Sequence, residues 1–417
     1  MRTVSESVIS DRLSEFSGLN PLLVAPGNFA TPWELVRLTD DSLAECRMFV
    51  INPQPGWPCR DGYILETPFV GPGARCGPRH EYVPMRLSLV PRLFASLWAP
   101  DVVLLHTSPP RGGQVSLGIE VNVLPAAIER VRENGGVVIA QVNRRMPYTG
   151  GDAEIDVADI DLALEVDVPL PSPAPEPADA QAAAIGEQVA RFASDGGTVQ
   201  LGIGQVPDVA ATHMRSRRRL GVWSEMVSDG TLQLEQAGAL DPDRPIFASF
   251  LFGSQELYAW ADRNPRLAMR RTEVINNPGS IAALPAMLSV NTALQVDLFA
   301  QANASYVRGS IYSGFGGQPD FVVGALHSDG GQAVIALRSW HENSNTSNIV
   351  PVLTVPASSF QHSVVVSEHG SAEIFGRSQP AQARLLIENV ADPRSRAGLW
   401  DEAEHLGSMG PLRPAGC

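Results

Sequence analysis

The sequence predicts an α/β fold of two related open domains with mostly parallel sheets, whose site of function lies in the cleft between the domains. Short β-branched segments alternate with helical segments along the chain, which is typical of parallel sheets with right-handed crossovers. A proline-rich segment divides the chain near its middle. The two halves contain similar strand, turn and helix segments, and 417 residues with 44% hydrophobic content suffice for two cores.

The proline-rich segment is PLPSPAPEPAD at Pro169–Asp179. Its five prolines exclude a helix or a central strand, so the chain is expected to cross the surface there. We therefore predict two domains, residues 1–175 and 181–417. Directly after this segment, apolar residues recur at helical spacing from Ile185 to Phe192, and a Gly-Gly pair ends the predicted helix.

The two halves resemble each other locally. PLLVAPGNFATPWELV in the first half and TVQLGIGQVPDVAA in the second both predict a strand, a glycine turn and a helix with proline near its start. ENGGVVIAQVN and SDGGQAVIALR both predict a strand after a Gly-Gly turn. Duplication explains these similarities, and chance similarity between two α/β halves explains them too, so both interpretations stay open.

Charge and composition exclude several classes of partner. The chain has a formal net charge of −14 at pH 7 and lacks the basic surface of a nucleic-acid or anionic-membrane binder. No run of about 18 apolar residues predicts a membrane span, and the N-terminus has no apolar signal segment. Cys46, Cys59, Cys76 and Cys417 lack metal-site spacing and are expected to be reduced thiols. We therefore predict a cytoplasmic protein with no nucleic-acid or membrane partner.

The turns that follow predicted strands are the candidate positions for chemistry, because parallel α/β sheets bind ligands beyond the carboxyl ends of their strands. These turns are Gly27–Asn28, Thr107–Pro110, Gly202–Gln205, Glu225–Gly230, Asn276–Pro278 and Gly314–Gln318. A site built from them would draw on both halves of the chain.

Several long motifs occur in a fixed order. The second half contains LGIGQVPD, WSEMVSDG, LFGSQELY, INNP and YSGFGGQPDFVVGA, and the first half contains TSPPRGGQVSLG and IAQVNRRMP. Together these motifs resemble the acetyl-CoA hydrolase/transferase family, which includes 4-hydroxybutyrate and succinyl-CoA:acetate CoA-transferases. The resemblance extends from about Asp101 to Arg394. It is looser before Pro100, where the family's glycine-rich opening turn is replaced by APGNFATPWEL.

The resemblance implies that Glu225, in WSEMVSDG, is the nucleophile that attacks an acyl-CoA thioester. A carboxylate with an ordinary pKa of about 4.3 is already ionised at pH 7 and needs no general base. The resemblance also assigns the backbone N–H groups of Gly316 and Gly317 and the side chain of Asn276 to the thioester oxygen. From the residues alone, a turn cap at Glu225, a tight glycine turn and an Asx turn before Pro278 remain open interpretations.

The same motifs contain residues that the resemblance assigns to CoA and substrate binding. They are Gly202, Gly204, Gln141, Asn143, Gly314 and Gln318, and Arg144 is a further candidate because it follows a predicted strand end. From the residues alone, Gln141 and Asn143 could instead cap a strand end. Arg145, Arg338 and the run RSRRRL are comparable candidates for binding phosphate, and the run could also be a solvated helix end. Where the family often has a basic residue, this chain has Asn348, which bears on acyl or acceptor specificity.

We therefore expect a CoA-transferase that works through a glutamyl-CoA thioester and binds an acyl-CoA and a small carboxylic acid. An acyl-CoA hydrolase and a catalytically silent CoA-binding protein are the alternatives. The mechanism requires no metal and no cofactor, because CoA is a substrate, and His362 and His369 are expected to be structural. We also expect a homodimer.

Overall fold

The protein is described by a computed structural model that covers residues 1–75, 79–96, 98–173, 177–202, 204–357 and 361–406. Two large sheets contain most of the strands that extend beyond two residues. Their strand pairs are almost all parallel, and helices connect the strands, which confirms the predicted α/β class. The main apolar core includes residues of both sheets, such as Leu105 and Val290, so the two halves pack against each other.

The first sheet has eight strands, and every neighbouring pair in it is parallel. In spatial order they are Arg2–Thr3, Leu162–Val166, Val137–Asn143, Val102–Thr107, Leu22–Val24, Cys46–Phe49, Tyr63–Thr67 and His80–Tyr82. The three strands at Leu22–Val24, Val102–Thr107 and Val137–Asn143 are buried along their whole length. Such uniform burial is expected of parallel strands that are covered on both faces.

The second sheet has nine strands. In spatial order they are Gly370–Glu373, Val364–Ser367, Gln332–Ala336, Met287–Thr292, Thr198–Gln200, Gly221–Trp223, Ile246–Ala248, Leu267–Met269 and Gly150–Gly151. The hairpin between the first two is antiparallel, and the other pairs are parallel. The last strand belongs to the first half of the chain, so a boundary near residue 175 does not separate the two sheets completely.

Both sheets follow the same strand order. If strands are counted from Leu22–Val24 in the first half and from Thr198–Gln200 in the second, seven strands of each sheet have the spatial order 7-6-5-1-2-3-4. The remaining strands lie at the edges, and they are Arg2–Thr3 in the first sheet and Gly370–Glu373 and Gly150–Gly151 in the second. This shared topology confirms the predicted pair of related α/β domains. It also defines equivalent positions in the two halves, because strand 1 of one sheet corresponds to strand 1 of the other.

Each sheet has a topological switch point, where the chain leaves two neighbouring strands in opposite directions. It lies between strands 1 and 5, which are Leu22–Val24 and Val102–Thr107 in the first sheet and Thr198–Gln200 and Met287–Thr292 in the second. Ligands bind in the crevice at the carboxyl ends of such strands. The fold therefore offers two crevices, one in each half.

Helices cover the sheets. The longer ones are Glu6–Ser14, Trp33–Ser42, Leu124–Glu133, Ala180–Ala190, Gln205–Met214, Asp229–Gln236, Gln255–Ala261, Gln318–His327, Gln379–Leu385 and Pro393–His405. The short helices are Pro72–Arg75, Pro91–Phe94, Thr272–Ile275 and Pro278–Ala282. The helices predicted after APGNFATP, after the proline-rich segment and after LGIG are confirmed. None of the helices within the described part of the chain is long and apolar enough to cross a membrane.

The proline-rich crossing is attached to the body of the protein on both sides of residues 174–176, which lie outside the described residues. Before them, the backbone oxygen of Leu170 accepts a hydrogen bond from Gln255 at 2.8 Å. After them, Asp179 caps helix Ala180–Ala190 and pairs with Arg338 at 2.7 Å. The described residues next to this gap, 171–173 and 177–179, are exposed, which agrees with the predicted surface crossing.

We expect Gly186→Ala to destabilise the fold by about 1–3 kcal/mol, through overpacking. Gly186 lies in helix Ala180–Ala190, and a Cβ there would come within 2.6 Å of the Val209 side chain on the neighbouring helix. That clash outweighs the gain in helix propensity of about 1 kcal/mol that alanine brings. Gly398→Ala is the matched control: it lies in helix Pro393–His405 with open space around it and should be neutral or stabilising. Urea denaturation measures both, and an equally stabilised Gly186→Ala would contradict the close helix packing.

Candidate active site

A cavity of about 250 Å³ lies where the carboxyl ends of strands from both sheets meet. The first half supplies Asn28, Ile51, Asn52, Phe69 and Leu87 to its lining. The second half supplies Gln200, Leu201, Gly202, Glu225, Met226, Phe250, Val290, Asn291, Thr292, Ala304, Ser313, Gly314, Phe315, Gly316, Gly317, Gln318 and Phe321. Residues that follow strand 1 of each sheet, Asn28 and Leu201, are both in the wall. The cavity therefore joins the switch-point crevices of the two halves.

Glu225 lies in an interruption between strands Gly221–Trp223 and Met226–Val227. Its backbone oxygen accepts hydrogen bonds from the N–H groups of Ser249 at 2.8 Å and Phe250 at 3.0 Å. Two donors from the neighbouring chain segment thus hold one carbonyl, which fixes the backbone of the turn. The side chain of Glu225 enters the cavity wall from this fixed position, so the predicted strand-end location of Glu225 is confirmed.

Asn276 holds the carboxylate of Glu225. Its Nδ2 donates a hydrogen bond to Glu225 Oε2 at 2.7 Å. Asn276 is fully buried at the end of helix Thr272–Ile275, and its own N–H donates to the oxygen of Thr272 at 2.9 Å. Its Oδ1 has no hydrogen-bond partner within the described part of the molecule. The Asn276 amide is therefore oriented by the hydrogen bond that its Nδ2 donates to the Glu225 carboxylate.

The glycine loop, residues 314–317, closes the cavity beside this pair. Gly314 (φ +134°) and Gly316 (φ +52°) adopt left-handed conformations that favour glycine. At Gly317 the constraint is space, because a Cβ there would overlap Glu225 Oε2 and Asn276 Nδ2. The loop is held by the first half of the chain: Val70 N–H donates to Ser313 O at 2.5 Å, and Leu87 N–H donates to Gly316 O at 3.3 Å.

The surroundings of Glu225 disfavour its charge. Burial raises the pKa of Glu225 to about 7, against the lowering effect of the Asn276 hydrogen bond, and the nearby carboxylate of Asp320 raises the pKa further. Burial also raises the pKa of Asp320 to about 6, although the hydroxyl and N–H of Ser88 donate to it at 2.8 and 3.2 Å. Two acids thus share an apolar region, and the carboxylate of Glu225 is less solvated than one in water.

A third buried acid, Glu120, supports the opposite wall. Its carboxylate accepts hydrogen bonds from Gly27 N–H at 3.1 Å, Asn28 Nδ2 at 3.0 Å and Asn122 Nδ2 at 3.1 Å. Burial nevertheless raises the pKa of Glu120 to about 7. Asn28 in turn holds Asn52, since Asn28 Oδ1 accepts a hydrogen bond from Asn52 Nδ2 at 2.6 Å. Glu120 therefore orients the two asparagine side chains that line the cavity from the first half.

Gln141 and Asn143 do not line the cavity, and their contact with CoA stays a prediction. Both are buried, and both amide groups contact His106 Nε2, at 3.2 and 3.1 Å. Gln141 Oε1 also accepts from Glu34 N–H at 3.1 Å, at the start of helix Trp33–Ser42. Burial lowers the pKa of His106 to about 4, so this histidine is neutral and accepts through Nε2. A direct contact with CoA would break these buried bonds, and the two residues instead brace the segment that carries Asn28.

The structure brings together only part of the predicted binding set. Gly202, Gly314 and Gln318 line the cavity. Gly204 lies just outside it and caps helix Gln205–Met214 with φ +109°. Arg144 differs from these residues, because its side chain is 71% exposed and lies 3.9 Å from Glu165 on the surface of the first half. Its predicted contact with CoA is therefore not supported by its position.

The other arginine candidates are engaged elsewhere. Arg145 pairs with Asp167 at 2.6 Å. In the run RSRRRL, Arg219 pairs with Asp241 at 3.0 Å, which agrees with a solvated helix end. Arg338 pairs with Asp179 and donates to Gln205 Oε1 at 3.3 Å, and its backbone oxygen accepts from Asn348 Nδ2 at 2.9 Å.

Another cluster of titratable groups lies away from the cavity. The ligand atoms of Glu368, His369 and Asp392 lie within 4.8 Å of one another. Asp392 pairs with Arg394 at 2.9 Å, and Glu368 accepts from Ser339 N–H at 3.0 Å. These pairings engage both carboxylates in structural contacts.

Sequence reasoning missed Asn52 and Glu120, and it named Asn28 only as part of a turn. Asn28 and Asn52 follow different strands and meet only because of the sheet order, so no local motif connects them. Glu120 did carry a signal, because it is the one charged residue in the mostly apolar run LGIEVNVL. An acid inside such a run is rarely buried without a dedicated set of donors.

Comparison with known proteins places the chain in a family. Residues 253–403 match the acetyl-CoA hydrolase/transferase C-terminal domain. The 4-hydroxybutyrate coenzyme A transferase of Clostridium kluyveri is 36% identical over 336 residues, which cover 78% of this chain and 77% of the relative. The succinyl-CoA:acetate/propanoyl-CoA:succinate CoA transferase of Fasciola hepatica is 33% identical over 400 residues, covering 89% and 82%. The acetyl-CoA hydrolase of Saccharomyces cerevisiae is 31% identical over a shorter match, 50% of this chain.

Solved structures share the fold over nearly the whole chain. The 4-hydroxybutyrate CoA-transferase of Porphyromonas gingivalis superposes with a TM-score of 0.79 at 27% identity, covering 97% of both chains. RipA from Yersinia pestis superposes with a TM-score of 0.88 at 24% identity, covering 99% of this chain and 98% of RipA. At the latter identity the likeness concerns the fold alone.

We expect Glu225→Gln to stabilise the protein increasingly as the pH rises. The folded-state pKa of about 7 exceeds the ordinary value of 4.5, so the folded protein retains a proton that the unfolded chain has lost between these pH values. The ionised wild type is therefore destabilised by up to about 3 kcal/mol above pH 7, and the penalty disappears towards pH 4.5. Glutamine keeps the acceptor for Asn276 and carries no charge.

Urea denaturation of both proteins at pH 5 and pH 8 measures this effect. The stability difference between Glu225→Gln and the wild type should be small at pH 5 and about 1–3 kcal/mol larger at pH 8. The same difference at both pH values would contradict a raised pKa at Glu225.

Proposed function

The chain belongs to the acetyl-CoA hydrolase/transferase family, and from this premise we propose that it is a CoA-transferase that moves CoA from an acyl-CoA to a carboxylate acceptor. The observation that carries the proposal is the position of Glu225. Its carboxylate lies in the wall of an apolar cavity, held by Asn276 and next to a glycine whose missing Cβ leaves room for a reacting group.

In the first step Glu225 acts as the nucleophile. One oxygen of its carboxylate attacks the thioester carbonyl carbon of the acyl-CoA, the C–S bond breaks, and CoA leaves as a thiolate. The product is a mixed anhydride between Glu225 and the acyl group. Partial desolvation supports this step, because a carboxylate with a pKa raised to about 7 is more basic than an ordinary one and is still substantially ionised at neutral pH.

In the second step the thiolate returns. Its sulfur attacks the glutamyl carbonyl carbon, the anhydride C–O bond breaks, and the acyl group leaves as a carboxylate. Glu225 is now joined to CoA as a thioester. An acceptor carboxylate then attacks this thioester, and the same two steps run in reverse to give a new acyl-CoA and free Glu225. No proton is gained or lost overall, and the expected kinetics are ping-pong.

Each addition places negative charge on a carbonyl oxygen, and the groups beside Glu225 can stabilise it. Asn276 Nδ2 already donates to the carboxylate that becomes the attacked carbonyl. Among the described residues, the backbone N–H groups of Gly316 and Gly317 donate to no protein acceptor, and both glycines line the cavity. We assign them to the developing oxyanion, where one preorganised donor is worth about 3–4 kcal/mol.

The substrates fit a cavity of mixed character. Phe69, Leu87, Phe250, Phe315 and Phe321 make much of the wall apolar, which limits water near the anhydride. The acyl group and the acceptor are expected to bind there, and Gly202, which lines the same cavity, is proposed to contact CoA. Because the reaction needs only CoA, an acid and Glu225, we propose no metal or organic cofactor. The homodimer remains a prediction.

An acyl-CoA hydrolase is the second candidate, because acetyl-CoA hydrolases of yeasts also match the chain, over about half its length. The same Glu225 would serve, with water attacking the anhydride or the glutamyl thioester. Release of free thiol without an acceptor, compared with CoA exchange in the presence of acetate, separates the two. A catalytically silent CoA-binding protein is disfavoured, since binding alone does not call for a buried carboxylate held at the cavity wall.

We expect Glu225 to become covalently bound to CoA when the protein is incubated with acetyl-CoA alone. The sequence contains no lysine, so chemical acylation of lysine side chains adds no background to the intact mass. The wild type should gain one CoA on the peptide that contains Glu225, and borohydride should then inactivate it, because a thioester is reducible. Glu225→Gln and Glu225→Ala should gain nothing and lose all turnover while remaining folded. Turnover above a tenth of the wild-type rate in either variant would contradict the nucleophile.

We expect Gly317→Ala to lower kcat by about 10²–10³ while the affinity for CoA changes much less. The new Cβ would overlap Glu225 and Asn276 and displace the thioester oxygen from its donors. Gly150→Ala is the control, because a Cβ at that edge-strand position meets nothing within 4 Å and should leave kcat unchanged. If Gly317→Ala instead bound CoA weakly and turned over normally at saturation, the glycine loop would be a phosphate cradle rather than an oxyanion site.

A further inference from the structure

The cavity at Glu225 continues into a second chamber of about 330 Å³. The two chambers share five lining residues, which are Asn52, Phe69, Thr292, Ala304 and Ser313. We call them the inner chamber, which contains Glu225, and the outer chamber. Because the shared residues form a common rim, a ligand that reacts at Glu225 can extend into the outer chamber.

The two chambers differ in charge. Among the described residues, the inner chamber is lined by the acid Glu225 and by no cationic side chain, and the outer chamber is lined by one cation, Arg75. The protein has a net charge of −14 and no lysine, so an anionic ligand must find an arginine or a protonated histidine. Arg75 is the group at this site that can provide one.

Arg75 has no carboxylate partner within the described part of the chain, and its guanidinium stacks on the ring of Tyr312 at 4.0 Å from the ring centre. Some other arginines of the first half pair with carboxylates, as Arg47 does with Glu66 at 2.8 Å and Arg60 with Asp40 at 2.6 Å. A guanidinium that stacks through its face keeps its in-plane N–H groups available for a planar oxyanion. Arg75 is exposed, and no acid among the described residues pairs with it, so its charge is available to such a ligand.

The backbone that carries Arg75 is tied to the reactive part of the site. Arg75 ends the short helix Pro72–Arg75, and Gly73 N–H in that helix donates to Pro53 O at 2.9 Å. Gly71 and Gly73 approach the backbone of residues 52–54 so closely that a Cβ at either would overlap it. Just before the helix, Val70 N–H donates to Ser313 O, beside the glycine loop. The position of Arg75 is thus fixed relative to the wall that faces Glu225.

We propose that Arg75 binds an oxyanion of the substrate in the outer chamber. Two groups supply this chemistry: a phosphate of CoA, and the distal carboxylate of a dicarboxylic acyl group or acceptor. The identity of these ligands rests on the proposed function. The binding itself depends only on an unpaired arginine in a chamber that opens onto the carboxylate of Glu225.

Binding measurements on wild type, Arg75→Gln and the control Arg79→Gln test the proposal. Arg79 is a nearby arginine that is 71% exposed and pairs with Glu81 away from both chambers. The probes are CoA, pantetheine, succinate and butyrate, measured by calorimetry. Loss of a charge-assisted hydrogen bond should weaken the affected anion by at least about tenfold.

A phosphate contact predicts that Arg75→Gln weakens CoA and leaves pantetheine, which has no phosphate, unchanged. A carboxylate contact predicts that it weakens succinate and leaves butyrate unchanged. Arg79→Gln should bind all four probes as the wild type does. If Arg75→Gln bound all four probes as tightly as the wild type does, the proposal would be overturned. An equal loss of affinity for all four probes would also overturn it, because it would indicate a structural role for Arg75.

These readouts do not depend on turnover. Absence of the Glu225–CoA adduct together with weakened CoA or succinate binding in Arg75→Gln would refute the proposed function and leave the anion site standing. A normal adduct together with unchanged binding in Arg75→Gln would refute the anion site and leave the proposed function standing.

Discussion

The hydrogen bond from Asn276 to Glu225 is the contact on which the site depends, and it exists because Gly317 has no Cβ. The carboxylate, the amide and the glycine backbone occupy one small space in which a single added carbon would overlap both side chains. Each partner is fixed by separate means. The Glu225 turn is held by two backbone donors, Asn276 by its helix end, and the glycine loop by donors from Val70 and Leu87 in the other half of the chain. The reacting geometry is therefore a product of interdomain packing.

This arrangement places three acids where ionisation of the carboxyl group costs free energy. Burial raises the pKa values of Glu225, Glu120 and Asp320 to about 7, 7 and 6. Each acid has hydrogen-bond donors, but the donors do not fully offset the loss of water. Glu120 has a structural role, since it orients Asn28 and, through Asn28, also Asn52. For Glu225 the same loss of solvation makes the carboxylate more basic, which suits its proposed role as nucleophile, and Glu225→Gln would relieve the accompanying destabilisation.

The sequence predicts the parts of the site that lie in continuous motifs. Glu225, Asn276 and the glycine loop were found because each belongs to a distinctive run of residues, and the repeated strand-turn-helix segments revealed the two related sheets. The contacts that Gln141 and Asn143 make with His106 could not be predicted, because the strand Val137–Asn143 is buried on both faces and alternation along a strand does not tell which polar side chain faces a ligand and which braces a neighbouring segment. Asn52 and Arg75 were missed since they meet the second half only through tertiary packing. The pairing of Gly150–Gly151 with the second sheet was missed for the same reason, as two glycines carry no strand signal.

The shared strand order places residues from equivalent positions of the two sheets in the same cavity. Strand 2 of the second sheet, Gly221–Trp223, leads into Glu225, and strand 2 of the first sheet, Cys46–Phe49, leads into Asn52 at the equivalent edge. The two residues line the same cavity from opposite sides, one as an acid and the other as a neutral amide held by Asn28. A second acid facing Glu225 would raise its pKa further and leave less of it ionised. The fold repeats its topology but not its charges, which suits the proposed attack by Glu225 and the proposed binding of substrate by the facing half, with Asn52 on the rim and Arg75 in the outer chamber.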